Sequence, residues 1–118
     1  MKTLSCIVVD DELLAVKRLV KMISKINILK IIGTYTDPVN AFKQIVINCP
    51  EIVFLDIEMP KMNGFELKSR LEYLNINSQL IFVTGNLNHI RKLSAQKEIK
   101  YLLKPVDLDD LIKCLTVL

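Results

Sequence analysis

Three aspartates, a threonine and a lysine are the residues of this chain whose types and placement could do chemistry. Asp10 and Asp11 follow the apolar run Leu4 to Val9, Asp56 closes Ile52 to Leu55, Thr84 follows Leu80 to Val83, and Lys104 follows Ile99 to Leu103. A short apolar run closed by a polar residue reads as a buried strand with that residue at its carboxyl end. In open parallel α/β sheets the carboxyl ends of the strands border the crevice where ions and ligands sit. All five residues are therefore expected at one edge. Clustered carboxylates repel one another, and a hard divalent cation with oxygen ligands relieves that repulsion, Mg²⁺ being the natural candidate. Asp10 and Asp11 are assigned to hold it, together with Asp56 and the backbone carbonyl of Glu58. With Lys104 nearby, fixed positive charge matches the negative charge of an arriving phosphoryl group. Asp56 is then the nucleophile: its attack on phosphorus gives an acyl phosphate, and the Thr84 hydroxyl donates to an equatorial oxygen.

Five β-α units in succession are needed to position these groups. After the first strand, Val16, Leu19, Val20, Ile23 and Ile26 recur at helical spacing, with Lys17, Arg18, Lys21 and Lys25 on the other face. Leu29 to Tyr35 forms a second strand. Asp37 caps the next helix, Pro38 takes its first position, and Val39, Phe42, Ile45 and Val46 make its buried stripe. Beyond Asp56, Pro60 and Gly64 shape a loop, and Asn63 or Gly64 starts a third helix marked by Phe65, Leu67, Leu71 and Leu74. Leu87, Ile90 and Leu93 suggest a short fourth helix. Asp107 caps a fifth, with Leu108, Leu111, Ile112 and Leu115 apolar. The expected architecture is a flavodoxin-like, doubly wound α/β fold: a five-stranded parallel sheet of order 2-1-3-4-5 with five helices, in three layers.

The 118 residues suit one domain, and 51% hydrophobic with 25% charged residues suits a sheet covered on both faces. A net charge of +3 is too weak to argue for nucleic-acid contact by electrostatics. No signal peptide and no apolar run of about 18 residues is present, so a cytoplasmic protein without membrane contact is expected. Cys6, Cys49 and Cys114 are odd in number and set in apolar or helical contexts, which favours reduced core or near-core thiols. His89, the only histidine, is expected to be an exposed helix residue.

Over essentially its whole length, the sequence resembles the response-regulator receiver domains of bacterial two-component systems. The resemblance rests on Asp10-Asp11, Asp56 with Met59-Pro60 and Gly64, Thr84, and Tyr101-Leu102-Leu103-Lys104-Pro105, in this order. It implies phosphotransfer from the phosphohistidine of a sensor histidine kinase to Asp56, dependence on Mg²⁺, and slow self-dephosphorylation. The resemblance makes the chain a signalling phosphoacceptor rather than an enzyme for a separate substrate. It also implies that Thr84 and Tyr101 switch together, changing the surface of the fourth helix, fifth strand and fifth helix, and that the bond before Pro105 is cis. Leu102-Leu103-Lys104-Pro105 with Asp107-Leu108-Asp109 further resembles LytR-type regulators, which carry a DNA-binding output domain. The helix pattern running to Leu118 matches a domain cut from the amino-terminal part of such a regulator. Three positions depart from the family's habit: Gly85 for alanine, Lys97-Glu98 for Gly-Ala, and Val106 for phenylalanine.

Other readings compete. Asp10 and Asp11 alone could merely cap a helix, and Thr84 and Lys104 singly could be ordinary strand-end residues. An aspartate-nucleophile phosphohydrolase carries its nucleophile on the first strand and needs a substrate-selecting cap. A flavodoxin-like nucleotide or flavin binder shares the fold, yet Gly33, Gly64 and Gly85 are the only glycines and form no phosphate cradle. Arg91, Lys92, Lys97 and Lys100 across from Asp107, Asp109 and Asp110 make a pattern that is usually a solvated face; the sharper reading is a homodimer through the last two helices and fifth strand, strengthened by phosphorylation.

Overall fold

The computed structural model describes residues 2–96 and 98–116. Five parallel strands, β1 (Leu4–Val9), β2 (Leu29–Tyr35), β3 (Ile52–Asp56), β4 (Gln79–Thr84) and β5 (Lys100–Leu103), form one sheet of order β2-β1-β3-β4-β5. They alternate with α1 (Leu13–Ile23), α2 (Pro38–Asn48), α3 (Gly64–Tyr73), α4 (Leu87–Ser94) and α5 (Leu108–Thr116). This is the flavodoxin-like arrangement expected from the sequence. The order reverses beside β1 and β3, the two strands that carry Asp10 and Asp56 at their ends, and such a reversal is where doubly wound sheets open a crevice.

Two apolar cores make the three layers. On one face Ile7, Val9, Val53, Leu55 and Phe82 pack against Ala41 and Ile45 of α2, Leu67 and Leu71 of α3, and Leu93 of α4. On the other, Cys6, Val8, Ile52, Phe54, Ile81 and Val83 pack against Val16, Leu19 and Ile23 of α1 and Leu111 of α5. Every residue of β3 is buried, because it is the central strand and both of its faces are covered.

Local chemistry fixes the helix starts. Asp37 accepts from the Val39 amide at 3.1 Å with Pro38 in the first turn, as expected. Asn63 and Glu66 form a reciprocal capping box, 2.9 Å from the Glu66 amide to the Asn63 side chain. Asp107 accepts from the Asp109 amide at 2.7 Å. The start of α1 differs: Glu12 occupies the cap position without a side-chain bond, and Asp10 instead accepts from the Glu12 amide at 3.0 Å.

Several expectations change. Cys49 is exposed rather than near the core, since it ends α2 in the left-handed region at φ 43°, where the chain turns outward. Cys6, by contrast, is fully buried as expected, and burial pushes its thiol up to about 11. Leu74, Leu87 and Ile112 carry the helical spacing yet stand exposed, because only a narrow stripe of each short helix reaches the sheet. Ile26 lies beyond the end of α1 but still packs on the core. Lys97, Val117 and Leu118, on which expectations were also placed, lie outside the described residues. Among the described residues no helix is long and apolar enough to cross a membrane.

Candidate functional site: the acidic edge of the sheet

Asp10, Asp56 and Thr84 are buried polar side chains, and all three lie at the carboxyl ends of neighbouring strands. Oxygens of Asp10, Asp11 and Asp56 lie within 4.8 Å of one another, with Asp11 exposed. Lys104 reaches back from the end of β5, its Nζ donating to Asp10 Oδ2 at 2.7 Å and lying 3.5 Å from Asp56 Oδ1. The Lys104-Pro105 bond is cis. Asp10, Asp11, Asp56 and Lys104 are therefore brought together.

The electrostatics follow from that crowding. Burial and the Asp10 charge push Asp56 up to about 7, against the pull of Lys104 and a 2.9 Å bond from the Ile57 amide. Burial alone would lower Lys104, but its bond to Asp10 and the charges of Asp56, Asp10 and Glu12 raise it overall. One ammonium faces three carboxylates. The surplus is negative and the donors are all oxygen, a set that fits a hard dication such as Mg²⁺. The Glu58 backbone carbonyl lies two residues past Asp56, in the same loop.

Gly64 holds that loop close. A Cβ there would stand 2.5 Å from the Asp56 carbonyl oxygen, and the Gly64 amide donates to Ile57 at 2.8 Å, so no larger residue allows the same approach. Pro60 lies in the same turn, and the Met62 amide donates to its carbonyl at 2.8 Å.

Thr84 leads into a second network. Its Oγ1 accepts from the Asn86 amide at 3.1 Å. The Asn86 side chain caps α4, accepting from Asn88 at 2.9 Å and His89 at 3.3 Å, and donates to Glu58 Oε1 at 2.8 Å. His89 Nε2 lies 3.6 Å from the same Glu58 oxygen, and its ring meets Phe65 edge-on at 6.0 Å between centroids. His89 is thus half-buried, not exposed, because the loop after β3 and the start of α3 cover it. Asn86 escaped notice in the sequence; an asparagine directly before an apolar helical run was the available signal.

Tyr101 is half-buried against the core beneath α2, α3 and α4, and pairs in register with Phe82. On the expected dimer face two basic groups are engaged within the chain. Lys100 donates to the Cys114 carbonyl at 2.9 Å, and Lys92 lies 4.4 Å over the Phe65 ring.

Comparison with known proteins agrees with this construction. The family model for the response regulator receiver domain matches residues 6–116. An uncharacterized response regulatory protein of Shewanella oneidensis is 36% identical over 95% of this chain and 47% of its own length. The sensory transduction protein LytT of Bacillus anthracis is 30% identical over 95% of this chain and 46% of its own. The chain thus spans about half the length of these relatives. Among solved structures, the response regulatory domain of protein mrkE from Klebsiella pneumoniae superposes with a TM-score of 0.83 at 26% identity, covering 97% of this chain and 93% of that one. Family match, strand order and acidic edge converge, and the chain belongs to the response regulator receiver domains of two-component signalling.

Proposed function

We propose that Asp56 accepts a phosphoryl group from the phosphohistidine of a sensor histidine kinase and that the domain thereby switches an output. The observation that carries this reading is the meeting of three carboxylates and one ammonium at a single strand edge. In the transfer an Asp56 oxygen bonds to phosphorus, the bond from phosphorus to the ring nitrogen breaks, and the electron pair stays on that nitrogen. Asp56 attacks as the carboxylate, the form that Lys104 favours. Asp10, Asp11, Asp56 and the Glu58 carbonyl would hold Mg²⁺, which when bound would supply positive charge to offset that of the phosphoryl oxygens. Lys104 shifts its contact from Asp10 toward the new phosphate, and Thr84 turns its hydroxyl to a phosphoryl oxygen.

Tyr101 follows Thr84, and the surface of α4, β5 and α5 changes with it. That surface forms a homodimer in the phosphorylated state, with acidic groups of α5 meeting the basic groups of the partner. The domain is the amino-terminal part of a cytoplasmic regulator of about twice this length, with a DNA-binding output domain that controls transcription. The LytT relative and the lengths of the matched proteins support this assignment.

Incubation with Mg²⁺ and acetyl phosphate, followed by intact-mass measurement, tests the chemistry. One added phosphoryl group on the protein and none on Asp56→Asn is the expected result. Equal labelling of both, or of neither, overturns the assignment.

A further inference from the structure

The face of the sheet covered by α1 and α5 carries two helices where the opposite face carries three, and its layer does not close. Between α1 and the connection from β5 to α5 lies a cavity of about 320 Å³, walled by Leu19, Met22, Pro105 and Val106. These walls are apolar and carry no aromatic ring. Arg18 and Lys21 of α1 also border the space, and both are exposed. Among the described residues neither forms an ion pair. Asp10 and Lys104 border it as well, paired at 2.7 Å, and the carboxylate surplus of the acidic edge lies at that end, so a ligand's charged group is received at Arg18 and Lys21 instead.

We infer that this cavity binds a small amphiphilic anion, an apolar body carrying a single carboxylate or sulfonate. Its volume is at the lower end of the roughly 300–1,000 Å³ typical of ligand pockets, which suits a short chain or one ring system. Apolar walls bury the body, and the two unmatched cations on one helix receive the charged end. Apart from the pair of Asp10 and Lys104, already bonded to each other, the charged side chains of the lining are the two exposed cations, fewer than a sugar or a base requires. The cavity shares Asp10 and Lys104 with the acidic edge, so the experiment uses the unphosphorylated protein, where its outcome does not turn on whether Asp56 accepts a phosphoryl group.

Titration of ¹⁵N-labelled protein with sodium octanoate below its micellar range, read by amide chemical shifts, tests the inference. Saturable shifts at Leu19, Met22 and Val106 are expected. Octanol, with the same body and no charge, binds roughly fivefold more weakly, and sulfate, a charge without the body, moves none of these amides. Val106→Phe fills the space from one side and Ala15→Leu from the other, each lowering octanoate affinity by more than about tenfold. Ala15 also borders the cavity, so if one variant does not fold the other decides. Replacing Arg18 and Lys21 together by glutamine weakens octanoate and leaves octanol unchanged. Shifts that never saturate, shifts centred on the exposed Ile47 and Tyr73, or filled variants that bind as tightly as the parent would each overturn it.

Discussion

Phe54 and Asp56 stand two residues apart on the central strand, 0% and 7% exposed, and opposite physics keeps each of them there. Phe54 gains from leaving water and belongs to the apolar cluster built from β1, β4, α1 and α5. Asp56 loses hydration, faces two other carboxylates, and is held by one amide and one lysine. The body of the sheet is therefore stable by its own contacts, whereas its carboxyl edge is stable only because the body holds it in place. A site of this kind stores unfavourable charge until a cation or a reaction relieves it.

The widest separation between the two regions is expected from Phe54→Ala, which opens a void in the enclosed core and costs about 3–5 kcal/mol in urea unfolding. At the edge the sign reverses. Between the ordinary carboxylate value of 3.8 and about 7, folded Asp56 keeps a proton that the unfolded chain releases. Stability contributed by this group is therefore lost as pH rises through that window and levels off above it. Asp56→Asn removes that slope and, with divalent cations chelated at pH 8, raises stability by about 1–3 kcal/mol. An unchanged pH profile in this variant would erase the contrast between body and edge.

Two smaller changes sharpen it. Asn86→Ala removes both the α4 cap and the bond to Glu58, and costs about 1 kcal/mol, with faster amide exchange confined to the first turn of α4. Gly85→Ala is the mildest. A Cβ there meets only the Lys104 Cβ at 3.6 Å, ordinary contact, so a gain of about 0.4–1 kcal/mol is expected from thermal unfolding.

Strand order and the meeting of Asp10, Asp56 and Lys104 were legible because apolar runs ending in polar residues obey a topological rule. The network of Glu58, Asn86 and His89 was not. It joins two loops 28 residues apart through side chains whose directions no periodicity encodes. Leu87 and Ile112 misled for a related reason: spacing finds the axis of an apolar stripe but not its width, and short helices bury little beyond Leu93 or Leu111. Cys49 misled through its backbone, since a left-handed turn at the helix end faces it outward whatever its hydropathy.

The bond from the Asn86 amide to Thr84 Oγ1 gives the helix start a stake in where that hydroxyl points. If Thr84 rotates about χ1 toward Asp56, the amide is stranded and must find water or pull the first turn of α4 after it. A displacement no larger than one side-chain rotamer thus reaches the backbone of a whole helix without any intervening hinge.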